Sequence, residues 1–134
     1  WNDCKTLHMR VAGRKTRNDK TWDIQKTMIE KNKAKIFYIY EEGKILGFAF
    51  FTISNNTGAY SVAAYNRSKF DKISISHVII WHAIEYFKSI GFDNIYLGEY
   101  APEKHINNQK LGNINHFKLG FCNTLISNNY LSNE

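Results

Sequence analysis

From Ile45 to Ile53 the chain reads ILGFAFFTI, nine positions with a single polar side chain, Thr52. A strand with one face in water alternates apolar and polar residues, and this run does not, so both of its faces need cover. A chain built around it must place packed layers on either side of a sheet, which points to helices on two faces. The neighbours fit. Lys35 to Tyr40 is β-branched and aromatic, Glu41-Glu42-Gly43-Lys44 is hairpin sequence, and Ser54 to Gly58 turns the chain into a third strand, Ala59 to Tyr65. These three form an antiparallel meander.

The rest of the chain supplies the covering layers. Residues 5–12 form a short helix closed by Gly13. Arg14 to Lys20 is a polar, basic loop. Asp19 or Thr21 caps a second helix reaching about Lys31, with Trp22, Ile24 or Gln25, Met28 and Ile29 on its apolar stripe. A long helix starts near Ser74, carries Ile75, Val78, Ile79, Ala83, Tyr86, Phe87 and Ile90 at helical spacing, and stops at Gly91. Phe92 to Gly98 is a short strand, so the strand–helix–strand unit makes a parallel pair with a right-handed crossover. After a polar loop over 99–110 with the one proline, Pro102, come a short helix over 113–118 and a last strand, Phe121 to Ser127. The expected fold is α/β: a mixed sheet, antiparallel meander plus one parallel crossover, covered by helices.

At 134 residues the chain fits one domain, 1–134, with a core that needs no staples. No apolar run approaches the ~18 residues of a membrane span, and no leader pattern opens the sequence. Cys4 and Cys122 make no disulfide framework and suit a reducing cytoplasm. The formal charge of +6 is concentrated: residues 1–35 hold ten Lys/Arg against four Asp/Glu, and residues 36–134 hold eight against eight. That surplus is either a solvated helix surface or a face for an anionic partner such as a phosphate-bearing ligand or RNA. His77 and His82 are five apart and do not share a helix face, while His105 and His116 are isolated, so no metal site is expected.

The order of elements resembles the GNAT-type N-acyltransferase fold. Lys110 with Ile114-Asn115-His116-Phe117-Lys118-Leu119-Gly120-Phe121 is similar to the K…I-x-x-F-K-x-x-F ending of FemAB-like aminoacyl and acyl transferases. Ala12 to Trp22 (AGRKTRNDKTW), Gly47 to Phe51 (GFAFF), His77 to Phe92 and Tyr96 to Tyr100 (YLGEY) resemble their C-terminal GNAT-like half. With Trp1 in place of an initiator Met, the resemblance implies the C-terminal half of a longer protein. It further implies transfer of an aminoacyl or acyl group to an amine of a cell-envelope sugar or peptidoglycan-type precursor. The donor would be aminoacyl-tRNA or acyl-CoA as co-substrate, with no tightly bound cofactor. The acceptor would be a small or lipid-linked sugar or peptide. The stretch Asn66 to Ser74 departs from the CoA-dependent branch, because it has no glycine and carries Asp71 where backbone N–H groups would cradle pyrophosphate. A CoA-dependent N-acetyltransferase and a noncatalytic RNA- or anion-binding module stand as alternatives.

Acyl transfer needs a positioned amine, a polarised carbonyl and a proton acceptor. In the resembled fold two parallel strands splay, and the first offers backbone N–H groups to the carbonyl. Here those come from around Ala63 and Ala64, which are otherwise small core residues. Glu99 follows Gly98 at the C-terminal end of its strand and is the candidate base. Tyr96 or Tyr100 is the candidate proton donor. By resemblance Lys118 holds developing negative charge, with Lys110 and Arg67 as helpers; the other reading is a helix-end cation. Arg14 and Arg17 carry forks suited to phosphate or carboxylate, or are solvated loop charges. His77 orients substrate or caps its helix.

Overall fold

The central strand is the one the apolar run requires. In the computed structural model, which describes residues 1–69, 74–101 and 109–127, Ile45 to Phe51 are buried without interruption. The described residues form two compact units, one from Trp1 to Gly98 and one beginning at Glu99.

In the first unit β1 (Ala34–Glu41), β2 (Lys44–Ser54) and β3 (Thr57–Tyr65) form the antiparallel meander, and β4 (Asn94–Tyr96) lies parallel to β3, giving the order β1-β2-β3-β4. Both hairpins turn on two residues, Glu42-Gly43 and Asn55-Asn56, all four with positive φ. That is the type I′ geometry whose twist matches the strands.

Phe48 and Phe50 point to one face of β2. There they join Val62 and Ala64 in a core with Cys4 and Leu7 of α1 (Asn2–Ala12) and Trp22 of α2 (Asp19–Glu30). Phe51 points to the other face, where its ring meets Phe37 at 5.7 Å and Phe87 of α3 (Ile75–Ser89) at 5.4 Å. Each such phenylalanine contributes about 1.5–3 kcal/mol of burial free energy. Gly47 leaves no room for a side chain beneath α3: a Cβ there would stand 2.6 Å from Ile75 Cγ2 and 3.0 Å from Tyr65 Cδ1 of β3.

Several boundaries differ from the sequence expectation. Asn18, not Asp19 or Thr21, caps α2, its side chain accepting from the Thr21 N–H at 2.8 Å. On that helix Gln25 turns inward while Ile24 is 52% exposed. On α3, Ile80 is buried and Val78 and Ile90 are 49% and 47% exposed, because the covered arc centres on Ile79 and Ala83 and excludes the flanks. The expected seven-residue strand from Phe92 shrinks to three. Phe92 instead stacks on Phe87 with centroids 5.0 Å apart, and Asp93 donates its N–H to Asn56 O in the β2–β3 turn.

In the second unit α4 (Gln109–Leu119) begins four residues earlier than expected. No strand forms over Phe121 to Ser127: Phe121 packs against Phe117 at 5.5 Å, Leu125 and Ile126 lie exposed, and no described strand is there to pair with them. Pro102, His105, Asp71 and Lys72 lie outside the described residues. Among those described, no helix is long and apolar enough to cross a membrane.

Candidate active site

The pairing of β3 with β4 stops early. Thr57, Gly58 and Ala59 pair with Asn94, Ile95 and Tyr96, and β3 then continues from Tyr60 to Tyr65 with no described strand along that edge. Two residues past the last pair, Gly98 takes a φ of 86°, a left-handed conformation open to glycine, directly after buried Leu97. The two co-directional strands share three residue pairs, and β4 ends with them.

Hydrogen-bond alternation decides which backbone groups line the free edge. Asn66 donates its N–H to Leu46 O at 2.7 Å, one step beyond the Tyr65–Gly47 pair. In an antiparallel ladder this turns the N–H of Ala64 toward Phe48 and that of Ala63 away from β2. Of the two alanines named from sequence, Ala63 presents a donor to the open edge. Ala64 spends its donor inside the sheet and its methyl group in the core against α1.

Between Val62 and Tyr60 the register skips Ser61, a bulge that sequence patterning did not reveal. Tyr60 and Tyr65 are an odd number of residues apart and would face opposite ways on a regular strand. The extra residue returns them to one face, and their hydroxyls meet at 3.1 Å. Tyr60 lies opposite Phe51 and Tyr65 opposite Gly47, with the small pair Ala49 and Ala63 between, which leaves room for the rings to approach. Burial pushes both phenols above their ordinary pKa, so they stay protonated as hydrogen-bond donors.

In the second unit Glu99 and Lys118 come together, though through the main chain. Lys118 Nζ donates to the Glu99 carbonyl oxygen at 2.6 Å. Burial lowers the lysine pKa, opposed by the charges of Glu99 and Cys122. One helical turn before it, buried Asn115 reads the backbone of Ala101 twice: its Nδ2 donates to the carbonyl at 2.6 Å, and its Oδ1 accepts the N–H at 3.3 Å. Asn115 escaped the sequence reading because an amide in an amide-rich stretch looks like turn chemistry. Together the two side chains fix residues 99–101 on α4 and leave the Glu99 carboxylate exposed.

The remaining candidates are scattered. Tyr96 is the last residue of β4 and 52% exposed, and Tyr100 is half-buried. Arg67 opens a single 3-10 turn, Arg67–Lys69, directly after β3 and is exposed. Lys110 is exposed in the first turn of α4, and His77 is exposed in the first turn of α3, its Nδ1 3.5 Å from Ser76 Oγ. Arg14 is exposed in the α1–α2 loop. Arg17 is not a loose loop charge. Its Nη1 lies 3.0 Å from His8 Nε2, and its guanidinium sits 5.7 Å from the Trp22 ring centre. Among the described residues no group of three or more His, Cys, Asp or Glu is placed to hold a metal ion.

No protein-family model and no curated protein sequence matches the chain. Solved structures do. The ribosomal-protein-S18-alanine N-acetyltransferase of Escherichia coli superposes with a TM-score of 0.66 at 14% identity, covering 89% of this chain and 69% of that one. An aminoglycoside acetyltransferase from an uncultured soil metagenomic sample, in complex with sisomicin, gives 0.70 at 12%, covering 99% and 88%. AAC(6')-Iy, bound to the bisubstrate analogue CoA-S-monomethyl-acetylneamine, gives 0.66 at 14%, covering 98% and 90%. Identities this low establish architecture, and with the meander, the crossover and the short parallel pair they show that this chain has the GNAT fold.

Proposed function

We propose that the chain is an N-acyltransferase that moves an acyl group from coenzyme A to an amine. The observation that carries this reading is the free edge of β3, where the Ala63 N–H has neither a β2 acceptor nor a described partner strand. A thioester carbonyl laid along that edge would accept from Ala63, and its carbon would be open to an amine. The amine nitrogen forms the new C–N bond, a carboxylate takes the proton, and the C–S bond breaks to release the thiol. Glu99 is the carboxylate assigned to the proton, and Tyr96 the phenol assigned to the departing sulfur. Arg67 and Lys110 serve anionic parts of the substrates. Lys118 acts through Glu99, holding its main chain. The donor assignment draws on a fold neighbour that holds a CoA-based analogue.

Transfer from aminoacyl-tRNA, the FemAB-like alternative, draws on the glycine-free stretch from Asn66 to Ser74. The experiment is thiol release from acetyl-CoA with an amine panel that includes cell-envelope amino sugars, run beside aminoacyl-tRNA as donor. CoA-dependent transfer that falls about 100-fold or more in Glu99→Gln, with an unchanged urea midpoint, is the expected result. Absence of both thiol release and a thermal shift with acetyl-CoA overturns the reading. Activity with aminoacyl-tRNA alone selects the alternative, and salt-steep RNA binding without transfer selects a noncatalytic module.

A further inference from the structure

The α1–α2 loop holds a preset guanidinium, that of Arg17. Leu7 of α1 packs in the same core as Val62 and Ala64, the half of β3 that β4 leaves unpaired. The next residue, His8, stacks edge-on against Trp22 at 5.3 Å, and its Nδ1 lies 3.3 Å from Thr16 Oγ1. Its other nitrogen takes Arg17 Nη1 at 3.0 Å. Arg17 is thus held between an imidazole and an indole with one N–H engaged, and its remaining donors keep the planar fork that matches a carboxylate or phosphate. A side chain fixed in advance loses little rotamer freedom on binding.

The charges around it sharpen the point. Lys5 and Lys15 are both spent on Asp19, at 2.5 and 2.7 Å, and Lys26 lies 3.9 Å from Glu30. Of the ten Lys/Arg in the first 35 residues, Arg10, Arg14, Arg17, Lys20, Lys31, Lys33 and Lys35 have no carboxylate partner among the described residues, and Arg14 and Arg17 of these stand in the α1–α2 loop. Such a field attracts an anionic acceptor and repels a polycationic one.

Resting on the acyltransferase reading, we infer that Arg17, assisted by Arg14, binds an oxyanion group on the acceptor, so that the substrate class is an amine bearing a phosphate or carboxylate. Two arms test this. In the first, inorganic phosphate is titrated into the intact protein while the His8 ring and Trp22 indole proton resonances are followed. Saturable shifts are expected, retained in Lys15→Ala and lost in both Arg17→Ala and Arg17→Lys; absence of shifts, or their survival in Arg17→Ala, overturns the site. In the second, acetyl transfer is compared between glucosamine-6-phosphate and glucosamine, which differ only in the phosphate. A kcat/KM ratio of tenfold or more is expected, collapsing toward one in Arg17→Ala through the KM of the phosphorylated amine, with the KM for acetyl-CoA unmoved. Equal use of the two amines, or a change confined to acetyl-CoA, overturns the acceptor assignment even where phosphate binds. Phosphate binding with neither thiol release from acetyl-CoA nor a thermal shift by it overturns the acyltransferase reading, and the acceptor assignment with it, and leaves the anion site standing.

Discussion

Proline at Ala63 and proline at Ala64 are predicted to do opposite things. Both substitutions force φ toward about −65° in a strand and remove one backbone donor, so the shared strain cancels when the variants are compared. What differs is where each N–H goes. At Ala64 it serves the ladder to Phe48, one pair along from the bond between Asn66 and Leu46. Removing it leaves the Phe48 carbonyl unsatisfied in the core and sets a ring against it. An unmade hydrogen bond of this kind costs about 1–3 kcal/mol. At Ala63 the N–H faces the free edge, and no ladder bond is lost. Ala64→Pro is therefore expected to unfold at lower urea than Ala63→Pro, by a free-energy gap of about 1–3 kcal/mol. With urea slopes of roughly 1–3 kcal/mol/M, midpoints about 1 M apart should be measurable by circular dichroism. Activity should rank the other way for the folded fraction: loss of one preorganised donor to a developing oxyanion lowers kcat by about 100- to 1,000-fold. Equal destabilisation by the two prolines would refute the alternation argument. A stable Ala63→Pro protein with full kcat would refute the assignment of that N–H to the carbonyl.

Two further perturbations follow from particular contacts. Asn115→Ala removes both amide bonds to Ala101 and should cost the second unit about 2 kcal/mol, seen as faster amide exchange at Ala101 with little change in the β1–β3 ladder. Burial first, and Arg17 second, lower the pKa of His8 below its usual 6.5. The unfolded chain then binds the proton more readily than the folded one. The stability this histidine confers is complete above the unfolded pKa and declines as pH falls through the folded value. His8→Gln should therefore flatten the loss of stability below about pH 6.5, whereas an unchanged slope would place the acid sensitivity elsewhere.

The fold was legible wherever local pattern and burial coincide. An unbroken apolar run reads as a strand covered twice, and β2 is one. Turn residues fixed both hairpins, and the spacing of Ile75, Ile79, Ala83 and Phe87 located α3 within a residue or two of its ends. The site was legible only in outline, because its decisive features are relations between distant residues. The donor direction at Ala63 depends on a bond from Asn66 to Leu46, and the tyrosine pair depends on one bulged residue, Ser61. Neither leaves a mark on composition. Lys118 shows the same limit from the other side. Its place between Phe117 and Leu119 marks it as unusual, yet only the fold reveals that its ammonium group grips the Glu99 carbonyl. A lysine bound to main chain cannot also hold substrate with that same hydrogen, and its main effect is to fix the backbone that carries the Glu99 carboxylate. Lys118→Met should then act as a positioning change: a lower kcat with Glu99→Gln adding little further, and KM nearly unmoved. Additive losses from the two substitutions would show instead that the ammonium meets the substrate directly.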